Sequence, residues 1–158
     1  MQNLEQNIKN QGVSIDNEFE NTKNVSKRDK NYVLELSDIS DTGFKIDIYS
    51  IEDDSKQPSG EMNISYTSRG PGSFLPVFNS TLTRNEKYEL SREAVGFAME
   101  TVKTRSAYDK FRLLLHNDFD QITVDKGKFD LTVFEVIAKM YDMNWQETNQ
   151  GQEYVKEL

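Results

Sequence analysis

From Tyr32 to Ile48 the apolar residues fall on alternate positions. Tyr32, Leu34 and Leu36 come first, then Phe44, Ile46 and Ile48, with Val33, Glu35, Ser37, Lys45 and Asp47 between them. A period of two is the signature of a strand with one face buried. A slip of one residue would turn every side chain to the wrong face, so this pattern constrains the fold more than any other. The link Asp38-Ile-Ser-Asp-Thr-Gly43 is rich in turn formers. The reading is a hairpin in which Leu36 meets Phe44, Leu34 meets Ile46 and Tyr32 meets Ile48. Glu35 then faces Lys45 on the solvent side as an opposite-charge cross-strand pair.

Met62, Ile64 and Tyr66 repeat the alternation and predict a third strand. Ser68-Arg-Gly-Pro-Gly-Ser73 breaks it and reads as a strand connection. Phe74, Leu75, Val77 and Phe78 follow, with Pro76 inside the run. Proline has no N–H for a ladder, which makes this an edge strand or an apolar loop laid over the core.

At Thr83 the period changes. Thr83-Arg-Asn-Glu86 has the form of a capping box, with a hydroxyl at the N-cap and a carboxylate three residues on. Leu90, Ala94, Phe97, Ala98, Val102, Tyr108, Phe111, Leu114 and Leu115 then recur near helical spacing, predicting one kinked helix or two in succession as far as Asn117. Ser106-Ala-Tyr-Asp109 offers the second cap. Asp130 can cap a last helix that buries Leu131, Phe134, Ile137, Ala138 and Tyr141, with Val133, Val136 and Met140 widening its stripe.

Outside these elements the chain is polar. Residues 1–30 hold six scattered apolar side chains, Leu4, Ile8, Val13, Ile15, Phe19 and Val25, and read as a flexible N-terminal arm. Residues 31–145 form a single α+β domain, and 146–158 a polar C-terminal tail. The fold expected is an antiparallel sheet of three or four strands packed on one face by two or three helices.

The formal charge of −8 is unevenly spread: residues 1–54 carry 12 acids and six bases, whereas 55–158 carry 15 and 13. Seven of the acids, Glu35, Asp38, Asp41, Asp47, Glu52, Asp53 and Asp54, fall within 35–54 beside a single base, Lys45. Such a chain repels phosphate backbones, so direct nucleic-acid binding is not expected. A local negative patch instead suits a partner protein with a basic surface. There is no cysteine, which excludes disulfides and thiolate metal sites. The first residues lack the basic start and apolar run of a signal peptide, and no window approaches the ~20 apolar residues of a membrane span. A cytoplasmic location and no membrane contact are the expectations.

Few residues invite chemistry. His116, Asp118 and Asp120 alternate, so in an extended segment they share a face that could hold a divalent ion, or His116 could act as a base oriented by Asp118. The competing reading is a helix-terminal histidine followed by turn-forming aspartates. Arg69-Gly-Pro-Gly-Ser73 lacks the ending and following helix of a phosphate-binding loop. Tyr141 and Trp145 suit either an interface or the closing of a core.

The leading expectation is therefore a non-enzymatic acidic binding module, with no cofactor. It would be an inhibitor or adaptor docking its 35–54 edge on a basic surface, including one that binds nucleic acid. The alternatives are a small metal-dependent hydrolase centred on His116, Asp118 and Asp120, and a structural subunit whose N-terminal arm holds its neighbours.

Overall fold

The computed structural model describes residues 21–27, 30–52, 57–79, 82–114, 133–148 and 151–158. In chain order these give β1 (Thr22–Lys27), β2 (Lys30–Ser40), β3 (Gly43–Ser50), β4 (Gly60–Thr67), β5 (Gly70–Ser73), β6 (Val77–Phe78), α1 (Arg84–Arg105), β7 (Lys110–Leu114), α2 (133–140), β8 (Asn144–Thr148) and β9 (Gly151–Glu157). All nine strands belong to one sheet, ordered β1-β2-β3-β4-β5-β7-β9-β8, with β6 also paired to β4. The β5–β7 pair is parallel and the others are antiparallel. The expected sheet of three or four antiparallel strands under two or three helices is thus corrected to a large mixed sheet with two helices among the described residues.

The alternation read from Tyr32 to Ile48 places the core. Leu34, Ile46 and Ile48 are fully buried, joined from the neighbouring strands by Met62, Ile64, Phe111 and Leu113. Leu90, Ala94, Ala98 and Val102 of α1, with Phe134, Ile137 and Ala138 of α2, close over them. Each fully buried side chain of this size contributes roughly 1.5–3 kcal/mol. Both helices cover this one face, and the other bears the odd-numbered residues of β2, β3 and β4.

The hairpin forms, but two residues out of the expected register. Leu34 pairs with Ile48, Leu36 with Ile46, and Glu35 with Asp47 rather than Lys45. A shift of two keeps each side chain on its expected face while changing every partner. Its cause lies near the turn, where β2 runs on to Ser40 and the reversal is confined to Asp41 and Thr42. Between the pairs Ser37–Lys45 and Ser40–Gly43 two residues, Asp38 and Ile39, stand against Phe44 alone. This is a β-bulge, and Asp38 takes φ 49° within it. Gly43 has φ 145°, and a Cβ there would overlap the Ile64 carbonyl, so the turn needs glycine.

Three further segments differ from expectation. Residues 22–27, assigned to a mobile arm, form edge strand β1, whose Val25 enters the core. Lys23 and Lys27 tie β1 to Glu89 and Glu93 of α1 at 3.0–3.2 Å. The helical reading through to Asn117 fails after Arg105. The Ser106 amide and hydroxyl both bond the Val102 carbonyl and end α1, and 110–114 becomes β7. There Phe111 and Leu113 are buried on the helix side with Arg112 between them on the opposite face, a period of two too short to separate from a helix. Finally, the supposed tail supplies β9 and most of β8. Tyr154 meets Phe134 and Trp145 with ring centroids 5.2 and 5.0 Å apart.

The broken run after β4 follows from its sequence. Residues Ser65–Thr67 pair with β5 and Gly60–Glu61 with β6, while Phe74-Leu75-Pro76 leave the ladder between them.

Candidate functional site

The face of the sheet turned away from the helices gathers the charge. Glu35 stands opposite Asp47, and Asp47 opposite Glu61, so three carboxylates form one row across β2, β3 and β4. Lys45 lies in the adjoining row, between Ser37 and Asn63. Its ammonium sits 3.7 Å from Asp47 Oδ1 and 3.9 Å from both Asp38 Oδ2 and Glu61 Oε2. These are ion-pair distances beyond hydrogen-bond range. Three carboxylates thus surround one cation, a local net charge of −2, and Glu35 stands beside them as the end of the row.

Asp47 is the centre of this arrangement. The residue is 7% exposed, and its Oδ2 accepts a 2.8 Å bond from the Ser37 hydroxyl. Its Oδ1 is buried and, among the described residues, has the Lys45 ammonium at 3.7 Å but no hydrogen-bond donor. A buried carboxylate oxygen without a donor is costly to keep, and like charges directly opposite across strands add to the cost. Beyond the row, Val33 and Tyr49 form a half-buried flank. Burial, reinforced by the charges of Asp47 and Glu35, raises the Tyr49 phenol above its ordinary value despite Lys45.

Of the residues singled out from sequence, Asp38 and Asp47 meet at Lys45, and Glu35 faces Asp47 across the strands. Asp41 is exposed in the tight turn at that end of the hairpin. Glu52 lies at the other end, where it accepts bonds from the Asn31 amide and side chain at 3.1 and 3.4 Å. Asp53 and Asp54 lie outside the described residues, as do His116, Asp118 and Asp120. The acidic stretch is also not a strand edge, since β2 and β3 lie inside the sheet between β1 and β4. Glu35, Asp38 and Asp41 are exposed on the face away from the helices and at the turn, whereas Asp47 is buried. Glu61 was not among the predicted residues. Only the third strand's register, which aligns it with Asp47, reveals it.

Further along the same face, Arg69 grips Glu153 with two bonds of 2.8 and 2.6 Å, and Arg112 reaches Glu153 at 3.3 Å, Thr67 at 2.8 Å and the Gly70 carbonyl at 2.9 Å. Arg112 and Glu153 are 5% and 2% exposed. The cluster joins β4, β5, β7 and β9; both Nη atoms of each arginine are engaged within it, and Arg112 Nε is buried with no partner among the described residues. A Cβ at Gly72 would press on the Arg112 guanidinium, so the glycine-rich β5 leaves room for this contact. A recess of about 390 Å3 opens between the facing ends of β1 and β2 and the first turn of α1, lined by Lys27, Lys30, Tyr32, Asn85, Glu86 and Glu89. Its lysines and glutamates neutralise each other in ion pairs. Tyr141 donates to the Arg92 carbonyl at 2.7 Å, whereas Trp145 is 42% exposed.

Among the described residues no group of three or more histidines, cysteines, aspartates or glutamates is arranged to hold a metal ion, and no helix is long and apolar enough to cross a membrane. Comparison with family models, curated proteins and solved structures returned no match.

Proposed function

We propose that this protein is a non-enzymatic binding module, an inhibitor or adaptor, that docks the carboxylate-rich face of its sheet on a basic surface of a partner protein. One observation carries the reading: Glu35, Asp47 and Glu61 stand in a single cross-strand row, and the buried Asp47 Oδ1 has no hydrogen-bond donor among the described residues. Stability alone disfavours such a row. A partner's cations would offset the charge of the row at the accessible Glu35 and Glu61, and complementary charge would speed encounter in a salt-dependent way.

The test is kinetic. A partner recovered by affinity capture and purified should associate with the wild-type protein quickly at low salt. The double reversal Glu35→Lys and Glu61→Lys should slow that association about tenfold or more while leaving the fold intact. Association indifferent to both the reversal and the ionic strength would discard this face as the interface.

A further inference from the structure

Strand β1 is fastened to the sheet differently from the strands beside it. Of its six residues only Val25 is buried, while Thr22, Asn24 and Ser26 lie exposed. Lys23 and Lys27 share the face of Val25, since alternate residues of a strand point the same way. Lys23 meets Glu93 at 3.0 Å, and Lys27 meets Glu89 and Glu93 at 3.2 Å each. We infer that β1 is a strap latched by charge. It opens from the edge of β2 as a unit while the rest of the sheet stays folded, and these ion pairs set how often it does so.

The packing favours such an opening. Release of β1 uncovers one buried apolar side chain, whereas β2 buries Tyr32, Leu34 and Leu36 and stays paired with β3 on its other side. Segments with few buried apolar contacts open first. The four latch side chains are 20–40% exposed, so dissolved salt reaches and screens them.

A second cation makes the latch reversible. Arg92 of α1 lies 3.0 Å from Glu89 and 3.8 Å from Glu93. When the lysines leave, both carboxylates keep a partner, and the open state strands no acid. Arg112 and Glu153 are the contrast, a buried pair in which losing one partner leaves the other uncompensated. Opening also frees the outer backbone groups of β2 from Lys30 to Leu36, an edge on which an extended strand can pair. The strap therefore gates that edge.

Amide hydrogen exchange of the full-length protein, followed by NMR, tests this. The Leu36 amide is the reporter: it belongs to β2 but donates to the Asn21 carbonyl at 2.7 Å, so opening of β1 releases it. Leu36 and the bonded amides of β1 should exchange at least about tenfold faster than those of β3 and β4. Raising salt from ~50 mM to ~1 M should speed them about threefold or more relative to β3. Glu89→Gln with Glu93→Gln should do the same at low salt, with β3 and β4 unchanged. Arg92→Met should slow them about twofold, because the carboxylates then depend on the lysines. Leu36 exchanging in step with β3 under every condition would make β1 part of one folding unit and overturn the inference. Fast exchange at Leu36 that ignores both salt and the glutamine variant would make β1 a frayed edge without a latch, and would overturn it as well.

Discussion

The Tyr32 hydroxyl donates a 2.6 Å hydrogen bond to Glu86 Oε2, joining a central strand to the first turn of α1. Lys30 reaches the same oxygen at 2.9 Å, while the Thr83 amide donates to Glu86 Oε1 at 2.8 Å. One carboxylate thus closes the capping box and anchors the helix to the sheet. The bonds from Lys30, Tyr32 and Thr83 outweigh partial burial and hold Glu86 at about 2, well below its ordinary 4.5.

A depressed carboxylate pKa stabilises the folded state above the unfolded value, and that contribution is lost as pH falls through the folded one. Thermal midpoints should therefore decline between about pH 5 and pH 2 partly through Glu86. Glu86→Gln should lower the midpoint at pH 7 and flatten the decline in that window. A variant whose profile runs parallel to wild type would assign the acid sensitivity to other carboxylates. Glu93 is the nearest alternative: burial alone would raise it, but Lys23 and Lys27 bring it below its ordinary value.

Leu34 and Glu35 are neighbours on opposite faces, one fully buried and the other exposed. Leu34→Asp should cost several kcal/mol, because it buries an unpaired charge at the centre of the core. Glu35→Ala should stay within about 0.5 kcal/mol or be slightly stabilising, since its cross-strand neighbour is Asp47. Chemical denaturation would measure both, and comparable losses would contradict the assignment of faces.

Arg112 and Glu153 lie at the junction where the parallel β5–β7 pair meets the antiparallel β7–β9 pair. Removing one partner of a buried ion pair leaves the other uncompensated, at about 3–5 kcal/mol. Glu153→Ala should therefore be severe, because it strands both Arg69 and Arg112. Changing Arg112 to Met together with Glu153 to Leu should recover much of that loss in denaturant titration. A double variant as unstable as Glu153→Ala would mean that the charges themselves hold the junction.

Legibility in the sequence tracked the strength of local signals. Thr83 and Glu86 form the capping box at the residues where it was read, because a cap is a contact between near neighbours. The faces of β2 and β3 followed from alternation, but their register did not. Register was decided by the bulge at Asp38 and Ile39 and the close approach of Gly43 to Ile64, and neither has a periodic signature. In β8 and β9 only Trp145, Tyr154 and Val155 interrupt a polar run, so pairing with β7 overrides a composition that reads as tail. The site was legible in part for the same reason. Glu35 and Asp47 lie in one hairpin, whereas Glu61 joins them through the pairing of β4 with β3.

The row itself gives the last prediction, in which stability and binding move in opposite directions. Asp47→Asn keeps an oxygen that can accept from Ser37 and replaces the donorless oxygen with an amide. That amide can donate toward Glu35 or Glu61, its neighbours on either side. Two like-charge oppositions disappear, each worth roughly 0.2–1 kcal/mol. The variant should be more stable than wild type by about 0.5 kcal/mol or more, with a thermal midpoint raised by a few degrees. The same change removes the central charge of the row, so association with a basic partner should slow and lose part of its salt dependence. Equilibrium denaturation and association kinetics on one preparation decide the matter. If Asp47→Asn is instead less stable, the Lys45–Asp47 contact supports the fold, and the argument that the row is kept for a partner loses its main support.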